Sequence, residues 1–322
     1  MNSRFTITLG VLLVVLSSTA DLLLGQMTPG QRLSQANETQ REGKPAQAIA
    51  DLQRLLDSHT LDVRGTGKAW NILGLAYEDE GDLQRARHAY EESLQILKSL
   101  PDSRDYAMAL DDFGRLCLAA GQFDDAEKVR MKALRLYEKV DDHGGMTRAS
   151  TDLAAISFRE KKVKQGSRYL ERAVKEAQAA SDLDDDDRAA IVSLQGWQAQ
   201  FNGDNRLSTE RFQQSLDLWR KLHGEEHPYT GWGYLLLGDA EAAAGQLTLA
   251  ERNIQQSIGI LDRTVGRQNP RYLLAELAYA RVLDDAGSHR EAAQIKSTAE
   301  PQLKDIYRRQ CAGCTVSVMA FR

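Results

Sequence analysis

Along most of this chain the apolar residues recur at intervals of three and four, the spacing that gathers side chains on one face of an α-helix. Trp70, Leu73 and Tyr77 form one such stripe, and Leu83, Ala86, Tyr90, Leu94 and Leu97 form a second after the break at Gly81-Asp82. The pattern predicts two helices joined by a tight turn. Gly74 and Ala86 are small where the two axes would pass about 8–10 Å apart. A pair of this length cannot bury its own apolar faces, so the unit predicts neighbours on both sides.

The unit recurs. Turn residues stand at Gly43, Gly81, Gly121, Lys161, Gly203, Gly245 and Gly287, a period of roughly 38 to 42 residues, the range in which stacked repeats are expected. At the predicted crossing of the two helices the copies carry Ala48, Ala86, Ala126, Gly166, Ser208, Ala250 and Ala292, all small, as close backbone approach requires. The repeats lie near 29–60, 67–100, 107–140, 147–180, 189–222, 231–264 and 273–309, an array over 27–309 that leaves no room for a second domain. The first is degenerate, with Arg32, Gln35 and Thr39 where the second has Trp70, Leu73 and Tyr77, and reads as a cap.

The order Trp70-x2-Leu73-Gly74-x2-Tyr77, then Gly81, Ala86 and Tyr90, resembles the tetratricopeptide repeat (TPR). Asn71-Ile72-Leu73-Gly74-Leu75-Ala76-Tyr77, with the connections Leu222-His223-Gly224-Glu225-Glu226-His227-Pro228 and Val265-Gly266-Arg267-Gln268-Asn269-Pro270, resembles the long-period, kinesin light chain-like subclass. That resemblance implies an all-α, right-handed α-α superhelix, a TPR solenoid of about seven repeats, binding a protein or peptide along its concave inner wall. Carried onto the first helix of each pair, it implies groove residues Asn71, Arg115, Arg148, Phe158, Trp197, Phe201, Trp232, Asp239 and Arg281. The family's ladder of groove asparagines is kept here only at Asn71; Asp111, Thr151, Ser193, Leu235 and Leu277 stand at the equivalent places. Trp197 and Trp232 have a second reading, as packing between repeats.

Composition narrows the partners. Of 322 residues, 42% are hydrophobic and 27% charged, with a formal charge of -5 and no lysine- or arginine-rich block, so nothing favours nucleic acid. Met1–Ala20 has the layout of a secretory signal peptide: Arg4, an apolar run from Ile7 to Leu16, then small residues ending at Ala20. The run is short of the roughly 20 residues a membrane span needs. Export to the periplasm or outside is the expectation, with membrane anchoring the alternative if the segment is uncleaved.

Four motifs invite chemistry. His223-Gly224-Glu225-Glu226-His227 satisfies H-x-x-E-H, but a zinc site of that kind needs one helix across both histidines, and Gly224 and Pro228 argue against it. Cys311-x-x-Cys314, in a tail over 310–322, suits a local disulfide in an exported chain better than a redox centre, which needs a strand-to-helix setting. Asp182-Leu183-Asp184-Asp185-Asp186-Asp187 fails as an EF-hand, because Asp187 and Ser193 occupy the positions of its glycine and glutamate; it reads as the capped start of a helix. Cys117 falls on a core stripe. No phosphate loop or nucleophile elbow is present. The expectation is a noncatalytic scaffold without cofactor, metal or small-molecule substrate; the alternative is an exported redox or metal-dependent enzyme using Cys311/Cys314 or His223/His227.

Overall fold

The computed structural model describes residues 27–100, 104–181 and 183–310. The expected signal peptide and the Cys311/Cys314 tail lie outside the described residues. Among the described residues there are fourteen helices and no strand. In chain order they are α1 Pro29–Arg41, α2 Pro45–Asp57, α3 Val63–Asp79, α4 Leu83–Leu97, α5 Arg104–Ala119, α6 Phe123–Lys139 and α7 His143–Arg159. They continue as α8 Val163–Ala179, α9 Asp185–Phe201, α10 Asn205–His223, α11 Pro228–Ala243, α12 Leu247–Val265, α13 Pro270–Asp285 and α14 His289–Gln310. Odd-numbered helices are the first of each pair and even-numbered helices the second. None of them is long and apolar enough to cross a membrane.

The turn within each pair is the same device seven times. Gly43, Gly81, Gly121, Gly203, Gly245 and Gly287 have φ between 73° and 87°, and Lys161 takes the same left-handed conformation at 59°. The next residue sends its N–H back to a carbonyl of the last helical turn, as Asp82 does to Tyr77 at 2.9 Å and Lys162 to Ser157 at 2.8 Å. This is a Schellman closure, and it demands the positive φ that glycine adopts without a Cβ penalty. No neighbouring atom stands within 4 Å of where a Cβ would be at Gly81 or Gly203, so conformation alone selects glycine there.

The connections between pairs are built from side-chain caps. Asp62, Asp142 and Asp184 each accept a hydrogen bond from an amide in the first turn of α3, α7 and α9, at 2.6, 2.9 and 2.8 Å. The acidic run before α9 is thus a helix start: Asp184 caps it, and Asp185, Asp186 and Asp187 fill its first turn, where the helix dipole favours negative charge. His223 ends α10, Gly224 turns at φ 82°, and Pro228 opens α11, so the two histidines of H-x-x-E-H do not share a helix.

Two compact units divide the chain within α5, between Leu116 and Cys117. In the first, the core gathers Leu52, Leu73, Tyr77, Ala86, Tyr90 and Leu116. In the second, successive clusters centre on Phe158 and Leu170, on Phe212 and Leu216, and on Ile254, Leu261 and Leu273. The small crossing residues Ala48, Ala86, Ala126, Ser208, Ala250 and Ala292 have no exposed surface, and Gly166 is buried with the Phe158 ring against it. Cys117 is buried.

Candidate functional site

Within the first unit, α3 and α5 are linked along their length by polar side chains. Asp105 on α5 receives both Arg64 (2.6 Å) and Lys68 (2.9 Å) from α3. Two turns along, Nδ2 of Asn71 donates to Asp112 Oδ2 at 2.7 Å, while Oδ1 of Asn71 is buried and receives no hydrogen bond. At the end of α3, Arg115 donates to Glu78 Oε1 at 2.7 Å and lies 3.7 Å from Asp112. Asn71 and Arg115 therefore converge on one carboxylate, Asp112. The Tyr90 hydroxyl donates to the other oxygen of Glu78 at 3.0 Å. Burial raises the Glu78 pKa above the usual carboxylate value, with Arg115 and the Tyr90 hydrogen bond opposing it. Burial and the nearby Glu78 carboxylate likewise push the Tyr90 hydroxyl up.

Within the second unit the odd-numbered helices are joined in the same manner. Arg148 on α7 lies 3.7 Å from Asp187 on α9, and Arg281 on α13 donates to Asp239 on α11 at 2.8 Å. Asp187 is pushed up to about 6 by burial and by the neighbouring Asp184 charge, against the pull of Arg148. Desolvation also raises Asp239, and Arg281 opposes it. These pairs bridge one repeat to the next.

The aromatic residues divide between surface and core. Phe201, at the end of α9, is 44% exposed, its ring stacked on Phe158 at 5.7 Å and 21°. Phe158 corrects the sequence expectation of a groove residue: it is 1% exposed, wedged between Gly166 and Phe201, and presents no surface to a partner. Its place three residues before the turn puts it on the face of α7 that meets α8. Trp197 is half-buried against both the Phe158 and the Phe212 clusters, and Trp232 against both the Phe212 and the Ile254 clusters. Each tryptophan thus packs between repeats while retaining an accessible part.

Glu78, Asp112 and Asp187 join these contacts without a motif of their own in the sequence. Their signal is the offset of opposite partners by about one repeat, as in Arg64 with Asp105 and Asn71 with Asp112, both separated by 41 residues.

His223 and His227 stand face to face, ring centroids 4.2 Å apart and 13° from parallel. Nε2 of His223 is 2.6 Å from Asp186, and Nδ1 of His227 accepts the Tyr229 N–H at 3.2 Å. Both rings are held within the connection between repeats. No group of three or more His, Cys, Asp or Glu side chains among the described residues is arranged to hold a metal ion.

The family model of the tetratricopeptide repeat matches residues 65–139 and 198–263. Solved structures with the same arrangement include a Rap protein complexed with competence and sporulation factor, 13% identical over 88% of this chain and 99% of that one, with a TM-score of 0.60. The apo form of RapI is 11% identical over 88% of this chain and 98% of that one, TM-score 0.66. The Cut9–Hcn1 hetero-tetramer of the APC/C is 16% identical over 84% of this chain and 48% of that one, TM-score 0.62. At these identities the likeness is one of fold. With seven Schellman-closed helix pairs and the repeat model matching within them, the chain has the fold of a tetratricopeptide repeat solenoid.

Proposed function

We propose that the chain is a noncatalytic scaffold that binds a protein or peptide segment along the face of its first helices, with the second unit as the principal docking surface. The observation that carries this reading is the exposed Phe201, held in place by a buried ring, with the accessible parts of Trp197 and Trp232 on the same and the next first helix. Rigid aromatic anchors bind at low entropic cost because their rotamers are already fixed. Arg148 with Asp187 and Asp239 with Arg281 supply charge of both signs along the same helices, which suits an extended polypeptide carrying apolar and charged side chains. In unit one, Asn71 and Arg115 offer a polar stretch centred on Asp112. The Rap structure described as complexed with competence and sporulation factor shows that a related fold is used for a bound factor. The proposed site of action is outside the cytoplasm, after removal of Met1–Ala20.

The test is affinity capture from the native compartment with wild-type, Phe201→Ala, Trp197→Ala and Arg148→Ala baits, each first checked for an unchanged far-UV circular dichroism spectrum. Loss of the same captured species from all three folded variants supports the reading. Equal capture by wild type and variants refutes it. N-terminal sequencing of the mature chain tests the export step, and an intact Met1 overturns it.

A further inference from the structure

The sixth and seventh repeats open with one geometry and one chemical difference. α11 begins His227-Pro228-Tyr229 and α13 begins Asn269-Pro270-Arg271, with proline in the first helical turn of each. In both, the residue before proline turns its side chain onto the amide two positions on. Nδ1 of His227 accepts from the Tyr229 N–H at 3.2 Å, and Oδ1 of Asn269 accepts from the Arg271 N–H at 2.9 Å. The amide oxygen keeps its lone pairs at any ordinary pH. The imidazole nitrogen loses its lone pair on protonation, and with it the cap.

The surroundings of His227 oppose that proton. The His223 ring from α10 lies flat against it, with Nε2 of His223 engaged by Asp186 of α9. Tyr229 of α11 tilts against both rings at 5.5 and 5.3 Å, and Arg271 of α13 sits 5.4 Å over the Tyr229 ring. The two carboxylates in the same connection are engaged elsewhere: Glu225 by Arg220 and Tyr234, and Glu226 by Arg263 of α12. A cation at 227 would also stand at the positive end of the α11 dipole. Burial holds His227 below the ordinary imidazole value, with His223 and Arg271 acting in the same direction and Asp186 against them.

We propose that His227 is a pH-sensitive cap: protonation at Nδ1 removes its hydrogen bond to Tyr229, sets a cation against the His223 ring, and loosens the connection between the fifth and sixth repeats. The direction follows from linkage. Above the ordinary imidazole value the ring is neutral in the closed and open joint alike, and the cap is fully made. As pH falls below that value the open joint takes up a proton that the closed joint resists, so the closed joint is progressively disfavoured down to its own lower pKa.

The experiment uses the full chain and hydrogen exchange between pH 7.5 and 5, corrected for intrinsic exchange, comparing the first turn of α11 with that of α13. The expected result is a loss of protection at α11 approaching about tenfold per pH unit within the window between the two pKa values. The first turn of α13 stays level, and His227→Asn, which copies the Asn269 cap, abolishes the α11 loss. An identical pH response at both helix starts, or an α11 response unchanged in His227→Asn, overturns the proposal. A histidine NMR titration of the wild-type chain gives a second reading: a His227 midpoint below the ordinary imidazole value supports the cap, and one at or above it overturns it.

Discussion

Gly74→Ala tests a close helix contact in the first unit. A Cβ at this position would stand 2.7, 2.7 and 2.9 Å from three carbons of the Tyr90 ring. Carbon atoms in comfortable contact are about 3.5–4.0 Å apart, so the ring must withdraw by close to an ångström. Tyr90 has no exposed surface, lies edge-on to Phe113 at 6.4 Å, and is tied through its hydroxyl to Glu78, one turn beyond residue 74. Overpacking of this kind costs about 1–3 kcal/mol, and weakening a hydrogen bond to a carboxylate adds about 1 kcal/mol or more. Removing glycine from a helix interior returns about 1 kcal/mol. The expected net loss is about 2 kcal/mol, read as a lower denaturation midpoint for α3 and α4 by circular dichroism and hydrogen exchange. The control is the same substitution in a Tyr90→Leu background, where the clash is absent and the loss contributed by residue 74 should vanish or reverse sign. A Gly74→Ala variant as stable as wild type, or a loss that persists after Tyr90 is trimmed, refutes the assigned contact.

Three further substitutions probe the other devices. Lys161→Gly should stabilise the fourth repeat by roughly 0.5–1 kcal/mol, because lysine holds a left-handed φ that glycine adopts without strain; a melt showing lower stability would contradict this. Asp184→Ala should cost about 1 kcal/mol through loss of the α9 cap, seen as faster exchange of the Asp187 amide. Asp187→Asn changes a pH dependence. The folded Asp187 pKa is raised to about 6, so the wild-type chain loses stability as pH rises from about 4 to about 6 and the unfolded chain releases its proton first. The asparagine variant should lack that decline and be more stable at pH 7 by about 1–2 kcal/mol; parallel urea titrations at pH 4, 5, 6 and 7 decide it.

The features legible in the sequence are those imposed on the backbone or by close approach. Turn residues, small crossing residues and the acidic, capped start of α9 each answer to one local requirement, and each is found where the residue pattern placed it, including Lys161 in a conformation it tolerates poorly. The side chains of the candidate site answer to two helices at once. Its place before the turn directs Phe158 toward α8, but its stacking on the Phe201 ring depends on the rotation between neighbouring repeats, which a 3.6-residue periodicity does not encode. Arg130, only 5% exposed and paired with Asp152 at 2.8 Å, shows the same limit: a charge inside a helix stripe reads as surface until its counter-ion on another helix is known.

The longest side-chain links described within each unit, such as Asn71 with Asp112 and Asp239 with Arg281, join residues 41 and 42 positions apart. Such a protein can consolidate as it leaves the ribosome, because a newly made hairpin needs only the one before it rather than a distant stretch still to be synthesised. The same locality lets evolution add or delete a hairpin at little cost to those already standing, so the length of such an array is as adjustable as its surface.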